Sequence, residues 1–266
     1  MLEIFQYDFL LRAFAAGIII AVIAPMIGIF LVVRRYSLLA DTLAHVSLAG
    51  AAVGILTKSQ PALTAMLFSV LGAFGIERLR SAKKIFGESA LALFLWGGLA
   101  GAVVILGLAK GFNVNLFAYL FGSITTVSAG DLYLIAILGA VILFLISACY
   151  KEFFFISFDE ELAEVSGVNT RGLNLTLLIM AAVTVSLSMR IVGVLLIGAL
   201  MVIPVITAMQ FHRSFKQTLF LSVFISLLSV IAGLLFSYYF DLASGGTIVL
   251  TALAIFLISL FISRKN

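Results

Sequence analysis

The sequence predicts an all-α, polytopic integral membrane protein with a single transmembrane domain over residues 1–266. Of the 266 residues, 64% are hydrophobic and only 11% are charged. A water-soluble domain of this size would lack the polar residues needed to cover its surface. The apolar residues also fall into runs that approach the roughly 20 residues a helix needs to cross the hydrocarbon core. Membrane topology therefore explains the net charge of +4, and we expect no nucleic-acid partner.

Successive apolar runs divide the chain into candidate spans. We expect eight to nine transmembrane helices and favour nine, although the second and third runs are short and one of these segments could be re-entrant. The runs cover residues 13–33, 38–57, 60–77, 89–109, 131–150, 172–189, 191–211, 217–240 and 242–263.

The basic residues indicate the orientation. Most of the 16 Lys and Arg lie in connections that nine spans place on one face, and positive residues collect on the cytoplasmic face of membrane proteins. We therefore expect a multi-pass protein of the plasma membrane with its C-terminus in the cytoplasm. The single Cys149 excludes an internal disulfide and a cysteine-based metal site.

A carboxylate and an imidazole stand at the head of the second run, "LLADTLAHVSLAG" (residues 38–50). Asp41 and His45 are four residues apart and share one helix face. A charged side chain at the centre of a membrane helix costs roughly 2.5–3.5 kcal/mol on insertion scales, so a compensating partner is expected. From the residues alone, a self-satisfied structural pair and a metal or proton site are both open.

Residues 157–168, "SFDEELAEVSGV", predict a short amphipathic helix in a cytoplasmic connection. Ser157 and Glu160 have the spacing of a capping box, which predicts a helix start near Phe158, and Gly167 can end the helix. An acidic helix is repelled by the anionic inner leaflet, which favours docking onto another protein over lying on the membrane. The candidate contact residues are Ser157, Phe158, Asp159, Glu160, Glu161, Leu162, Ala163, Val165 and Gly167.

The stretch "GVLLIGALMVIPVITA" combines Gly193, Gly198 and Pro204 within one apolar run. Proline inside a helix removes a hydrogen bond and bends it, and the glycines leave a thin helix face. Close packing between helices and a role along a transport pathway are both compatible with this pattern.

These stretches together resemble the membrane permease subunit of bacterial zinc and manganese ABC importers. "RRYSLLADTLAHVSLAG" is similar to a second-helix motif of that family, and "FDEELAEVSGV" is similar to its coupling loop. "GVLLIGALMVIPVITA" and "DLASGGTIVL" resemble two C-terminal family stretches, and all four occur in the family's order.

The resemblance implies an ATP-driven importer permease of a bacterial plasma membrane, not an enzyme, that works as a homodimer. Its expected partners are cytoplasmic ABC ATPase subunits and an extracellular metal-binding lipoprotein. The segment 157–168 would couple to the ATPase. The sequence has no G-x-x-x-x-G-K-[ST] phosphate loop, in agreement with ATP hydrolysis in a partner. Arg190 and Asp241 are either contacts for the delivery protein or solvated loop charges.

For the transported ion, the resemblance makes Asp41 and His45 candidate ligands. Two copies related by a two-fold axis would supply four N and O ligands, which suits tetrahedral Zn²⁺. Manganese members tend to carry Leu-Pro-Gly where this chain has Leu48-Ala49-Gly50, so we expect Zn²⁺ as the transported ion, with Mn²⁺ or iron as the alternative. No permanently bound cofactor is expected.

Three other interpretations compete with this one. A permease for vitamin B12 or siderophores would be longer and would not need the Asp–His pair. A proton-coupled secondary metal transporter would use the pair as a relay and would have no use for a docking helix. In a structural membrane scaffold, alanine at both positions would leave uptake intact.

Overall fold

The computed structural model describes residues 7–81, 87–108, 120–123, 125, 127–189, 191–194 and 196–263, and in these ranges every regular element is a helix. The all-α prediction is therefore confirmed. The helices are α1 (Asp8–Val33), α2 (Leu38–Leu56), α3 (Pro61–Ser81), α4 (Gly87–Leu108), α5 (Ala129–Ala148), α6 (Tyr150–Phe158), α7 (Glu160–Val165), α8 (Thr170–Ser188), α9 (Ile197–Met209), α10 (Phe215–Phe240) and α11 (Ser244–Ser263).

Eight of the helices in the described ranges are long and apolar enough to cross a membrane. The seventh predicted span, residues 191–211, differs. It begins with turns, and its helix α9 covers only Ile197–Met209. At 1.5 Å per residue, its 13 residues reach about 20 Å, short of the roughly 30 Å hydrocarbon core. The described ranges thus hold eight long apolar helices, within the expected eight to nine, and one short apolar helix where the favoured count had a further span.

Helices α1, α2 and α8 form the interior of the bundle. In the most apolar stretch of α2, 72% of the residues are buried, whereas the corresponding value for α4 is 17%. The outer helices expose large apolar side chains, such as Trp96 of α4 and Phe144 of α5. Such surfaces are stable in lipid and unstable in water.

Glycines allow α2 to lie directly against its neighbour α3. A Cβ at Gly50 would lie 2.6 Å from the carbonyl oxygen of Thr64, and a Cβ at Gly54 would lie 2.8 Å from the Cα of Pro61. Small residues at membrane-helix contacts permit this close approach of two backbones. As a result α2, which carries the Asp–His pair, is held firmly in the interior.

Candidate functional site

His45 is oriented by the backbone one helical turn before it. Its Nδ1 atom lies 2.7 Å from the carbonyl oxygen of Asp41, and a carbonyl can only accept, so Nδ1 donates. In the neutral ring the lone pair is then on Nε2. Histidines that bind metals usually donate their other ring N–H to a carbonyl or carboxylate in this way. The arrangement leaves Nε2 as the nitrogen available to bind a metal.

The Asp41 side chain faces a cavity of about 340 Å³ between α2 and α9. The structure brings Asp41 together with Gly198. The two residues are so close that a Cβ at Gly198 would collide with the Asp41 Oδ1 atom. A glycine at this point of α9 is thus required for the observed position of the carboxylate. The cavity is lined by Ser37, Leu38, Asp41, Gly198, Ala199, Val202 and Ile203.

The opposite side of the Asp–His turn packs against α4. A Cβ at Gly98 would lie 2.9 Å from the carbonyl carbon of His45. Nearby hydroxyl groups bind elsewhere: Thr42 donates to the Leu38 carbonyl oxygen at 2.9 Å, and Ser47 lies 3.2 Å from Ser186 of α8. These hydroxyls fix α2 and do not orient the Asp–His pair.

The other two predicted pathway residues lie away from Asp41. Gly193 has φ 85°, and its Cα approaches the backbone of Leu120 and Gly122 so closely that a Cβ would collide with both. Pro204 is buried inside α9, as predicted, but it does not line the cavity of Asp41. Of these three residues, the structure therefore places only Gly198 beside the pair.

One chain offers a small number of metal ligands at this place. Among the described residues, no group of three or more His, Cys, Asp or Glu side chains is arranged to hold a metal ion. Asp41 and His45 can thus contribute two side-chain ligands per chain.

The predicted docking segment forms a helix, but its cap differs from the prediction. Ser157 lies inside α6 and donates to the Phe153 carbonyl oxygen at 2.6 Å, so the Ser157–Glu160 capping box is wrong. The N-cap of α7 is Asp159, whose side chain accepts from the Leu162 backbone N–H at 2.8 Å. Gly167 follows the helix at φ 85°, the left-handed conformation that the sequence predicts.

The exposed surface of this segment combines apolar and acidic side chains. Phe158, Leu162 and Val165 are 63%, 53% and 86% exposed, whereas Ala163 is fully buried against the bundle. Phe158 belongs to the end of α6, where it contacts Phe154 with ring centroids 4.7 Å apart. A short helix is thereby anchored on one side and presents apolar side chains on the other.

Glu160 has partners that the sequence did not predict. Arg34 donates to its Oε2 at 2.7 Å, Arg80 donates to its Oε1 at 3.2 Å, and Asn174 donates to the same Oε1 at 2.7 Å. Partial burial alone would raise the pKa of the Glu160 carboxyl, but the hydrogen bond from Arg80 and the charges of Arg80 and Arg34 outweigh it and lower the pKa below its ordinary value. Glu160 therefore faces the bundle and not the surface of α7.

The two candidate contacts for a delivery protein, Arg190 and Asp241, follow the C-terminal ends of α8 and α10. Arg190 lies outside the described residues. Asp241 ends α10 in the left-handed conformation at φ 50°.

Comparison with known proteins places these features in context. The model of the ABC 3 transport family matches residues 6–263. The zinc uptake system membrane protein ZnuB of Haemophilus influenzae is 31% identical over 96% of this chain and 98% of its own length. The manganese transport system membrane protein MntC of Listeria innocua is 29% identical over 98% of this chain and 93% of its own.

A solved structure agrees in sequence and fold. The chain superposes on PsaBC from Streptococcus pneumoniae, solved in complex with Fab, with a TM-score of 0.83 and 33% sequence identity. The match covers 97% of this chain and 92% of the other chain.

Proposed function

The chain belongs to the ABC 3 transport family and is a membrane permease of a metal importer, and on this premise we propose that it conducts Zn²⁺. Asp41 and His45 bind the ion transiently during its passage. The ion passes between the two chains of a homodimer in a bacterial plasma membrane. Mn²⁺, or iron, is the alternative cargo.

The observation that carries this proposal is the orientation of the His45 ring by the backbone of Asp41, whose own side chain lines the cavity. The bond from Nδ1 to the Asp41 carbonyl leaves Nε2 for the ion, and the carboxylate already lies in the cavity. A metal ion offsets the cost of an anionic side chain in a membrane-spanning helix.

Two ligands per chain support a site shared by two copies. A two-fold axis through the Asp41 cavity would bring together two imidazoles and two carboxylates. Four N and O ligands suit tetrahedral Zn²⁺, and added waters would suit the larger shell of Mn²⁺. Gly198 lines the same pathway, while Gly193 and Pro204 set the shape of the segment that leads into and through α9.

The choice of zinc rests on a modest difference in one motif. The relatives include proteins named for zinc and for manganese at similar identity, so they favour neither ion. Leu48-Ala49-Gly50 differs from the Leu-Pro-Gly expected of manganese members. The affinity order of divalent metals for N and O ligands also favours zinc over manganese.

The exposed apolar side chains of Phe158, Leu162 and Val165 form the proposed docking surface for a cytoplasmic ATPase. Asp159 and Glu161 complete its acidic part. Ser157 and Ala163 are buried, so their part in docking is to hold the segment in place. In this proposal the C-terminus lies in the cytoplasm, as the distribution of basic residues favours, and an extracellular metal-binding lipoprotein delivers the ion on the other side.

Radiolabelled uptake tests the proposal. Cells that express the chain with its ATPase and delivery protein are supplied with ⁶⁵Zn²⁺ or ⁵⁴Mn²⁺, and wild type is compared with Asp41→Ala and His45→Ala at equal membrane abundance. We expect zinc uptake that both substitutions abolish. Unchanged uptake in both variants would refute the site. Uptake of manganese alone would mean that the transported ion is Mn²⁺ and not Zn²⁺.

The same assay addresses a proton-coupled transporter. Collapse of the proton gradient at constant ATP leaves uptake unchanged if an ATPase drives the permease. Loss of uptake under these conditions would contradict the proposal.

A further inference from the structure

Four helices and the docking helix α7 meet in one group of polar side chains, the Glu160 cluster. Its members are Arg34 at the end of α1, Tyr36 before α2, Glu77 and Arg80 of α3, Glu160 of α7 and Asn174 of α8. Arg34 also donates to the Asn174 Oδ1 atom at 2.6 Å, so Asn174 bridges Arg34 and Glu160. Apart from the Arg80–Glu77 pair within α3, each of these contacts joins residues from different elements of the fold.

The cluster is balanced in charge and partly buried, with Glu160 as its most exposed charged side chain. Its two guanidinium groups face two carboxylates, and Arg80 makes a paired contact of 2.9 Å from Nε and Nη2 to the two oxygens of Glu77. The side chains of Arg34 and Glu77 are only 5% and 8% exposed. Paired guanidinium–carboxylate contacts fix both distance and orientation, and partial burial protects them from screening by salt.

Tyr36 connects the cluster to α2. Its ring lies under both guanidinium groups, with the Cζ atoms of Arg34 and Arg80 5.4 and 6.0 Å from the ring centroid. Its backbone carbonyl accepts from the N–H of Leu39, in the first turn of α2, at 2.9 Å. Asp41 lies in the same first turn of α2. A displacement of the arginines therefore acts on the beginning of the helix that carries Asp41.

We propose that the Glu160 cluster is the rigid connection by which a movement of the docking helix α7 reaches α2 and its metal ligands. Glu160 is a positioning residue: it touches neither the ion nor, with its carboxylate turned inward, the docking surface. Tyr36 passes the movement from the arginines to α2. The inference rests on the proposed function, since it needs an ATPase at α7 and an ion at Asp41.

Transport per ATP separates this role from a merely structural one. The purified chain and its ATPase are reconstituted in liposomes, and the import of Zn²⁺ or Mn²⁺ and ATP hydrolysis are measured in the same vesicles. A structural role changes the amount of assembled complex but not the number of ions moved per ATP. Tyr36→Leu is the decisive variant, because the polar and cation–π contacts of Tyr36 in the described ranges are with Arg34 and Arg80 and not with α7.

We expect Glu160→Gln and Tyr36→Leu each to lower the number of ions moved per ATP by about tenfold, the size of effect that follows loss of one charged hydrogen bond or cation–π contact. The control is Glu152→Gln, which removes an exposed carboxylate of the preceding helix α6 and keeps the wild-type ratio. If Glu160→Gln does not assemble, Tyr36→Leu alone decides.

Two results would overturn the inference. A wild-type ratio in both variants would mean that the cluster only stabilises the fold. A low ratio in Glu160→Gln with a normal one in Tyr36→Leu would mean that the cluster seats α7 without acting on α2. If the wild-type complex itself imports neither metal, the proposed function fails, and that failure is distinct from both results.

Discussion

Substitution of Gly198 by alanine tests whether the position of the Asp41 carboxylate matters for transport. A Cβ at this position would collide with the Asp41 Oδ1 atom. The oxygen would have to move by about an ångström or more to reach an ordinary van der Waals separation of ~3.5 Å. The carboxylate would then leave the position from which, in the proposed site, it binds the ion together with His45.

The expected loss follows from how sharply metal sites depend on geometry. Ligand distances tolerate changes of about 0.2 Å, and substitutions that merely disturb the orientation of a ligand cost roughly 10- to 100-fold in metal affinity. We expect Gly198→Ala to lower metal uptake at limiting ion concentration by roughly the same 10- to 100-fold. Raising the ion concentration should restore part of the rate.

Uptake of radiolabelled metal at equal membrane abundance is the assay, and Gly97→Ala is the matched control. Gly97 lies in the middle of α4 along the chain, and a Cβ there would meet nothing within 4 Å, so this substitution should leave uptake at the wild-type level. Normal uptake by Gly198→Ala, with the ion-concentration dependence of wild type, would show that the position of the Asp41 carboxylate does not matter for transport.

Three further predictions concern stability, each measured by thermal unfolding of the purified protein. Gly193→Ala forces a side chain into φ 85° against neighbouring backbone and should cost about 1–3 kcal/mol, whereas Gly246→Ala, with open space around it, should not destabilise; equal unfolding temperatures would contradict this. Asp159→Ala removes the N-cap of α7 and should cost about 0.5–2 kcal/mol of stability, more than Ser157→Ala costs. A larger loss in Ser157→Ala would instead support Ser157 as the cap. Because the pKa of Glu160 is lowered, its ion pairs stabilise the fold at pH values above the ordinary pKa of 4.5, and this effect is lost as the pH falls through the lowered pKa. Wild type should therefore have a higher unfolding temperature than Glu160→Gln at neutral pH, and the difference should shrink in acid. A difference that does not depend on pH would be inconsistent with the ion pairs.

The helices were predictable because membrane crossing needs long apolar runs, and the sequence displays them directly. Residues 191–211 were the exception. Apolar composition does not reveal where a helix begins, and the left-handed Gly193 starts the run with a turn instead. The pairing of Gly198 with Asp41 was also hidden, because it depends on packing between α9 and α2, whose residues are far apart in the chain.

The docking segment shows how a tertiary contact overrides a local pattern. Ser157 and Glu160 have the spacing of a capping box, but Glu160 binds Arg34, Arg80 and Asn174 instead. Hydrogen bonds to charged groups contribute about 1.5–3 kcal/mol, whereas a cap contributes typically about 1 kcal/mol. A single sequence gives no signal that a carboxylate in a presumed surface helix has two distant arginines as partners.

The most direct test of the metal site is X-ray absorption at the zinc edge on the purified, zinc-loaded protein, together with the number of ions bound per chain. We expect one ion per two chains, held by imidazole nitrogen and carboxylate oxygen at about 2.0–2.2 Å, and loss of this spectrum in the double variant Asp41→Asn/His45→Gln. The same spectrum and stoichiometry in the double variant would show that the ion is bound elsewhere and that the proposed site is wrong.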